Sequence, residues 1–129
     1  MQHSIEKIYT GVMDAAFKVH RTLGPGLLEN SYEECMAYEL RKCGYEVEKQ
    51  KALPLIYEEV KLESGYRIDL MVNSSVIVEI KAVETLLPVH WAQLITYLRL
   101  SKLELGMLVN FNVKLLKDCM HRVVLSRDK

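Results

Sequence analysis

Two acids and one lysine stand out from apolar surroundings. The run Val76-Ile77-Val78-Glu79-Ile80-Lys81-Ala82 has the composition of a buried strand, yet it carries Glu79 and Lys81 two residues apart. Side chains alternate across a strand, so Val76, Val78 and Ile80 share one face and Ile77, Glu79 and Lys81 the other. Burying such charges costs several kcal/mol unless they are paired or put to use. The run just before it, Tyr66 to Val72, alternates as well, with Tyr66, Ile68, Leu70 and Val72 on one face and Arg67, Asp69 and Met71 on the other. If the two runs form a hairpin, the loop length decides whether the acids meet. A three-residue loop, Asn73 to Ser75, pairs Val72 with Val76, and a five-residue loop pairs Met71 with Ile77. Both set Asp69 opposite Glu79 and Arg67 opposite Lys81, because directly opposed residues share a face. An even loop sends Asp69 to the other side. The chemistry therefore predicts an odd loop, or a bulge that restores parity.

Adjacent carboxylates repel unless they are protonated or hold a cation. Hard oxygen donors of this kind suit Mg²⁺ or Mn²⁺. A lysine on the same face can orient or help deprotonate a water at the metal, and can stabilise charge developing on an attacked phosphate. On the spacing alone, a simple salt bridge or a solvated face accounts for the same residues.

The elements that must position these groups are visible in the periodicity. Ile5, Ile8, Tyr9, Val12, Ala16, Val19 and Leu23 recur at helical spacing, with Ser4 placed as an N-cap and Gly24-Pro25-Gly26 as a breaker. A second helix is predicted from Leu27 to Cys43, closed by Gly44. Strands are predicted at Tyr45–Lys49, at Leu53–Tyr57 with Val60–Leu62 turning on Glu58-Glu59, at Tyr66–Val72 and at Val76–Ala82. A helix follows from about Val89 to Leu100, with Pro88 at its start. Leu105–Phe111 reads as a strand buried on both faces, and Met120–Leu125 as a last strand. The order predicts a mixed α/β layer architecture in one domain, residues 1–129.

Composition narrows the function classes. Of 129 residues, 50% are hydrophobic and 26% charged, as in an ordinary globular protein. No apolar run approaches the roughly 20 residues of a membrane span. Met1 to Glu6 lacks the basic flank and apolar stretch of a secretion signal, so a cytoplasmic location is expected. Seventeen basic and seventeen acidic residues cancel, which argues against a globally basic nucleic-acid coat. A local basic excess near the C-terminus (Lys114, Lys117, Arg122, Arg127 and Lys129) is a modest electrostatic footprint. Cys35, Cys43 and Cys119 are odd in number and lack metal-ligand spacing; Cys35 and Cys43 read as small core residues in a reducing compartment.

With Asp69, nine intervening residues, and then Glu79-Ile80-Lys81, the chain resembles the PD-(D/E)XK nuclease superfamily, Glu79-x-Lys81 taking the place of the (D/E)xK element. Gly26-Leu27-Leu28-Glu29-Asn30-Ser31-Tyr32 is similar to the G-x-x-E-x-x-Y signature of the GxxExxY branch. Ala37-Tyr38-Glu39-Leu40, Gly65 to Leu70, Val78 to Glu84, His90 to Leu98 and Asn110-Phe111 also resemble that branch, in its order, from about residue 5 to 125. Ile68 stands where the superfamily's name has proline. The resemblance implies a restriction-endonuclease-like fold, with a central mixed β-sheet flanked by helices. It implies Asp69, Glu79 and the carbonyl of Ile80 as metal ligands, Lys81 as the catalytic lysine, and Glu29 and Gln93 as assisting residues. It further implies Mg²⁺ or Mn²⁺ as cofactor and DNA or RNA as substrate.

Read without the resemblance, the flanking residues leave alternatives open. Glu29 shares a helical face with Tyr32, Glu33 and Met36 and fits a first-turn acid favoured by the helix dipole. Tyr32 fits a core position with its hydroxyl bonded. His90, Gln93 and Tyr97 share a face opposite Trp91, Leu94, Ile95 and Leu98, either a polar outer face or a stripe toward a site. His20 and His121 read as structural or surface residues. Three functions stay in view: a Mg²⁺-dependent nuclease, a catalytically silent accessory module that binds nucleic acid or protein, and a salt-bridged structural strand. A homodimer placing two sites on two strands is compatible with the small size of one subunit.

Overall fold

The first helix starts where its cap requires. Ser4 Oγ accepts from the backbone N–H of Lys7 at 3.2 Å, and α1 runs Ile5–Leu23 with Ile8, Val12, Ala16 and Val19 buried. Gly24 ends it with φ 69°, its N–H donating to the carbonyl of His20 at 2.7 Å. Glycine takes this left-handed backbone without a Cβ penalty. The computed structural model describes residues 4–63 and 65–126 of the chain.

The second helix, α2, spans Glu29–Lys42 rather than starting at Leu27. The delay comes from Tyr32. Its hydroxyl donates to the carbonyl of Gly24 at 2.6 Å and accepts from the N–H of Leu27 at 3.2 Å. The glycine turn is thereby clamped to the core, and the Leu27 amide is satisfied outside the helix. Tyr32 is fully buried, with its ring stacked 4.4 Å from that of Phe111. Cys43 departs from expectation: it is the exposed C-cap of α2, beyond the last residue that faces the core. Cys35 is partly buried against the core, as expected.

Strands β1 (Val47–Ala52), β4 (Arg67–Val72), β5 (Val76–Lys81), β6 (Leu105–Asn110) and β7 (Met120–Val124) form one sheet in the order β1-β4-β5-β6-β7. The neighbours are antiparallel except β5 and β6, which run parallel. Helix α3 (Pro88–Ser101) makes the crossover between that parallel pair, as parallel strands require. β2 (Leu55–Tyr57) and β3 (Val60–Leu62) form a separate two-stranded hairpin with an exposed surface. β1 begins two residues later than predicted, because Tyr45 belongs to the turn after α2, its N–H donating to the carbonyl of Leu40.

The sheet separates two apolar layers. α1 and α2 cover one face, packing with Leu70, Val72, Val76, Val78 and Ile80. α3 covers the other, where Leu94, Tyr97 and Leu98 meet Ile68, Met71, Ile77 and Leu108. β6 is buried along its whole length, as its continuous apolar run predicts. Gly106 sits under α3; a Cβ there would meet Leu94 Cδ1 at 3.0 Å and the Ile77 carbonyl at 3.1 Å, so glycine permits the close approach. The face predicted for α3 is split. His90 Nδ1 accepts from the Leu87 N–H at 2.9 Å and caps the helix, Gln93 is half-buried, and Tyr97 turns into the core. Packing against the sheet decides this, and helical spacing alone could not. The two lone histidines are structural: buried His20 Nε2 lies 2.7 Å from the Val113 carbonyl, and the ring of His121 lies 5.0 Å from that of Trp91.

Candidate active site

The hairpin of β4 and β5 has the predicted odd loop. Asn73 and Ser74 both have φ 52°, and the Ser75 N–H donates to the Val72 carbonyl at 3.0 Å. This is a two-residue left-handed turn, with Ser75 as the extra residue that restores parity. The register follows as Val72 with Val76, Met71 with Ile77 and Leu70 with Val78. The next opposed residues are Asp69 and Glu79, and there the backbone ladder stops. The Asp69 N–H donates instead to Glu79 Oε2 at 3.0 Å, and the Ile80 N–H donates to Asp69 Oδ2 at 2.8 Å. Each acid satisfies the backbone of the opposite strand.

The strand on the other side of β4 is interrupted at the same level. β1 pairs Lys49 with Leu70 and Lys51 with Ile68 but skips Gln50 and Asp69. Gln50 holds φ 52°, a left-handed backbone unusual for a residue with a side chain. The alternation of β4 turns over here. Leu70 and Val72 belong to the α1 and α2 layer, whereas Ile68 belongs to the α3 layer, and the Tyr66 ring lies 6.3 Å from that of Tyr97. The single face predicted for Tyr66, Ile68, Leu70 and Val72 is therefore divided at Asp69. Arg67 also departs from its predicted place opposite Lys81: it is exposed, with Nη1 at 3.5 Å from the Gln50 carbonyl.

The electrostatics follow from burial. Glu79 is buried in the α3 layer, and loss of solvent raises its carboxyl to about 8; the charge of Asp69 adds to the rise, while the Asp69 N–H and Lys81 oppose it. Asp69 is raised for the same first reason, against the Ile80 N–H, Lys81 and Gln50. Burial, then the charges of Glu79 and Asp69, push the Tyr97 hydroxyl up to about 12. Lys81, half-buried at the end of β5, favours the ionised form of both acids by its field. Among the described residues it forms no salt bridge with either, so the salt-bridged strand lacks its salt bridge.

Glu29, the first residue of α2, reaches the same end of the sheet. Its Oε2 accepts from the Ala82 N–H at 3.0 Å, one residue beyond Lys81. Gln93 stands apart on α3, in the wall of an open groove with Tyr66, Thr96 and Tyr97. Among the described residues no hydrogen bond joins Gln93 to either acid. Asn110 pairs across from Lys81 and is fully buried. Its side chain binds the Val83 N–H at 3.0 Å and the Val83 carbonyl at 2.9 Å, fixing the chain as it leaves β5.

Two residues of this region, Gln50 and Glu33, carry no motif signal, and a third, Tyr97, is singled out only as part of the His90 to Leu98 segment. Gln50 lies just past the end of the predicted Tyr45–Lys49 strand, Glu33 reads as one more helical acid, and Tyr97 belongs to a face that is either polar and outward or a stripe toward a site. The basic C-terminal footprint is smaller than its count. Arg122 is engaged by Glu6 at 2.6 Å and by the Tyr9 ring at 4.8 Å. Arg127 and Lys129 lie outside the described residues.

The donor set fits a small divalent cation. Asp69 and Glu79 meet where the ladder opens, and both are raised chiefly by burial, which makes their negative charge costly there unless a cation offsets it. Among the described residues no group of three His, Cys, Asp or Glu side chains forms a closed cage. No helix among the described residues is long and apolar enough to cross a membrane.

A family model described as the PD-(D/E)XK nuclease superfamily matches residues 6–123. Nucleases of this superfamily generally use divalent metals and act on nucleic acid. No curated protein and no solved structure matches the chain. The match spans nearly the whole length and includes the two acids and the lysine on their adjoining strands, and the chain accordingly belongs to the PD-(D/E)XK nuclease superfamily.

Proposed function

We propose that the protein is a Mg²⁺- or Mn²⁺-dependent phosphodiesterase of the GxxExxY branch that hydrolyses DNA or RNA. One observation carries the reading. Asp69 and Glu79 oppose each other where the β4–β5 ladder opens, with Lys81 on the same strand as Glu79, two residues on.

Asp69, Glu79 and the Ile80 carbonyl are the groups that would hold the ion. When bound, a divalent ion supplies Lewis acidity and compensates charge gathering on the phosphoryl oxygens. The remaining roles belong to the chain. Lys81 orients the attacking water and stabilises the charge that develops on the phosphate. Glu29, anchored by one oxygen to the Ala82 amide, assists with the water through the other. Gln93 lines the groove in which the substrate strand approaches. Water attacks phosphorus in line: a P–O bond forms to its oxygen as the bond to the 3′ oxygen breaks with the electron pair leaving on that oxygen, the water gives up a proton to solvent, and the 3′ oxygen takes one from solvent.

The balanced net charge favours a second reading, a silent module that retains the fold and binds nucleic acid or a protein. Cleavage assays with Mg²⁺ or Mn²⁺ on single-stranded, duplex and branched DNA and RNA separate the two. Wild type is expected to cut at least one class, and Asp69→Ala and Lys81→Ala to lose roughly a thousandfold or more in rate. Intact substrates throughout, with metal binding by calorimetry, would leave the accessory module.

A further inference from the structure

Outside the two acids and the lysine, a buried carboxylate and a strained backbone residue converge on Asp69. Glu33 lies one helical turn after Glu29 and is buried, at 5% exposure. Its Oε1 accepts from Gln50 Nε2 at 2.7 Å. The same nitrogen lies 3.2 Å from Asp69 Oδ1. Asp69 is thus gripped from both sides, by the Gln50 amide on one oxygen and by the Ile80 N–H on the other at 2.8 Å. Two carboxylates facing one amide require its nitrogen, not its oxygen, to point at them. Glu33 in this way decides which end of Gln50 meets Asp69.

The backbone of Gln50 argues that this arrangement is not incidental. A left-handed φ costs a residue with a side chain of order 1–3 kcal/mol and persists where the surroundings impose it, commonly at functional sites. Here φ is 52°, and it falls where β1 and β4 skip a pair. A regular strand would keep Gln50 and Asp69 in the ladder. The turned backbone removes them from it and brings the amide between Glu33 and Asp69.

We infer that Gln50, oriented by Glu33, is a positioning residue that fixes the Asp69 carboxylate for divalent-metal binding. This inference rests on the proposed metal site. It does not make Gln50 a ligand: the side chain acts on the metal only through Asp69.

The test is Mn²⁺ binding by calorimetry, with thermal unfolding of the metal-free protein measured in parallel, on wild type, Asp69→Ala, Gln50→Gly and Glu33→Gln. Glycine accepts the left-handed backbone, so Gln50→Gly removes the amide and the strain together and avoids an unfolded variant. Gln50→Gly is expected to bind Mn²⁺ about tenfold more weakly, with a melting temperature within a few degrees of wild type, because relief of the left-handed strain offsets the lost bond to buried Glu33. Glu33→Gln is expected to weaken binding about threefold. A residue needed only for folding would give the opposite split, a lower melting temperature with unchanged affinity per folded molecule. Wild-type Mn²⁺ binding that Asp69→Ala abolishes, joined to Gln50→Gly binding within twofold of wild type, would overturn the role of Gln50 and leave the metal site standing. A wild type that binds no Mn²⁺ would overturn both.

Discussion

The β4–β5 hairpin has two ends built from the same alternating residues, and they differ in kind. Near the turn, Val72 faces Val76 and Met71 faces Ile77 in a continuous backbone ladder, and all four are buried. Two residues farther along, the ladder gives way and side-chain carboxylates take over the backbone N–H groups. At the closed end, hydrogen bonding is local and the side chains are free to fill the two apolar layers. At the open end, the side chains bind backbone, and burial makes the charge they bring costly. A strand pair can therefore hold a buried acid pair in place because its first residues are already zipped.

If the closed end supplies stability, cutting it should cost most. Ile77→Ala is expected to destabilise by about 2–5 kcal/mol in chemical denaturation, because a fully buried side chain is replaced by a cavity. Mn²⁺ affinity of the folded fraction should stay within a few fold. A proportionate loss of both would mean that the two ends are not separable.

The open end should instead show itself in pH dependence. Glu79 is raised from 4.5 to about 8 in the metal-free protein, chiefly by burial. The folded state then keeps a proton that the unfolded chain releases. That contribution is complete below about pH 4.5 and is lost as pH rises through about 8. Denaturation with a chelator present should give stability falling from about pH 4.5 to about 8 and levelling off above, by at most about 1.4 kcal/mol per pH unit for one proton. Asp69, also raised, acts in the same direction. Glu79→Gln should remove most of the slope. An unchanged slope in that variant would place the titration elsewhere.

The smallest effect belongs to the turn that sets the register. Ser74 is exposed at φ 52°, so Ser74→Gly should stabilise by up to about 1 kcal/mol by relieving left-handed strain. The measure is the denaturation midpoint at constant slope, with Mn²⁺ affinity unmoved. A fall in stability would show that the turn needs its side chain.

Much of the site was legible because its signals are local. Parity alone set Asp69 against Glu79, and the choice between odd and even loops was resolved by a turn that Asn73 and Ser74 form themselves. Helix-forming periodicity placed Glu29 at the start of α2 within two residues. The residues that escaped are those whose role depends on neighbours distant in the chain. Gln50 carries no motif, since what distinguishes it is a backbone angle and two acids on α2 and β4. Helical spacing sets Tyr97 on one face with His90 and Gln93, either a polar outer face or a stripe toward a site, whereas packing of α3 on Gly106 and Leu108 draws it inward. Helical spacing reads Cys43 as core because the spacing continues past the point where α2 leaves the sheet.

The amino-acid sequence by itself determined the order of elements, and that an odd hairpin loop or a restoring bulge would set two acids opposite each other beside a lysine, because period and parity are properties of neighbouring residues. The tertiary structure alone decided where the ladder opens, which layer each half of β4 faces and that Glu33 and Gln50 close on Asp69. Those depend on strands and a helix meeting across long chain separations, where burial and hydrogen-bond geometry, not local pattern, select the arrangement.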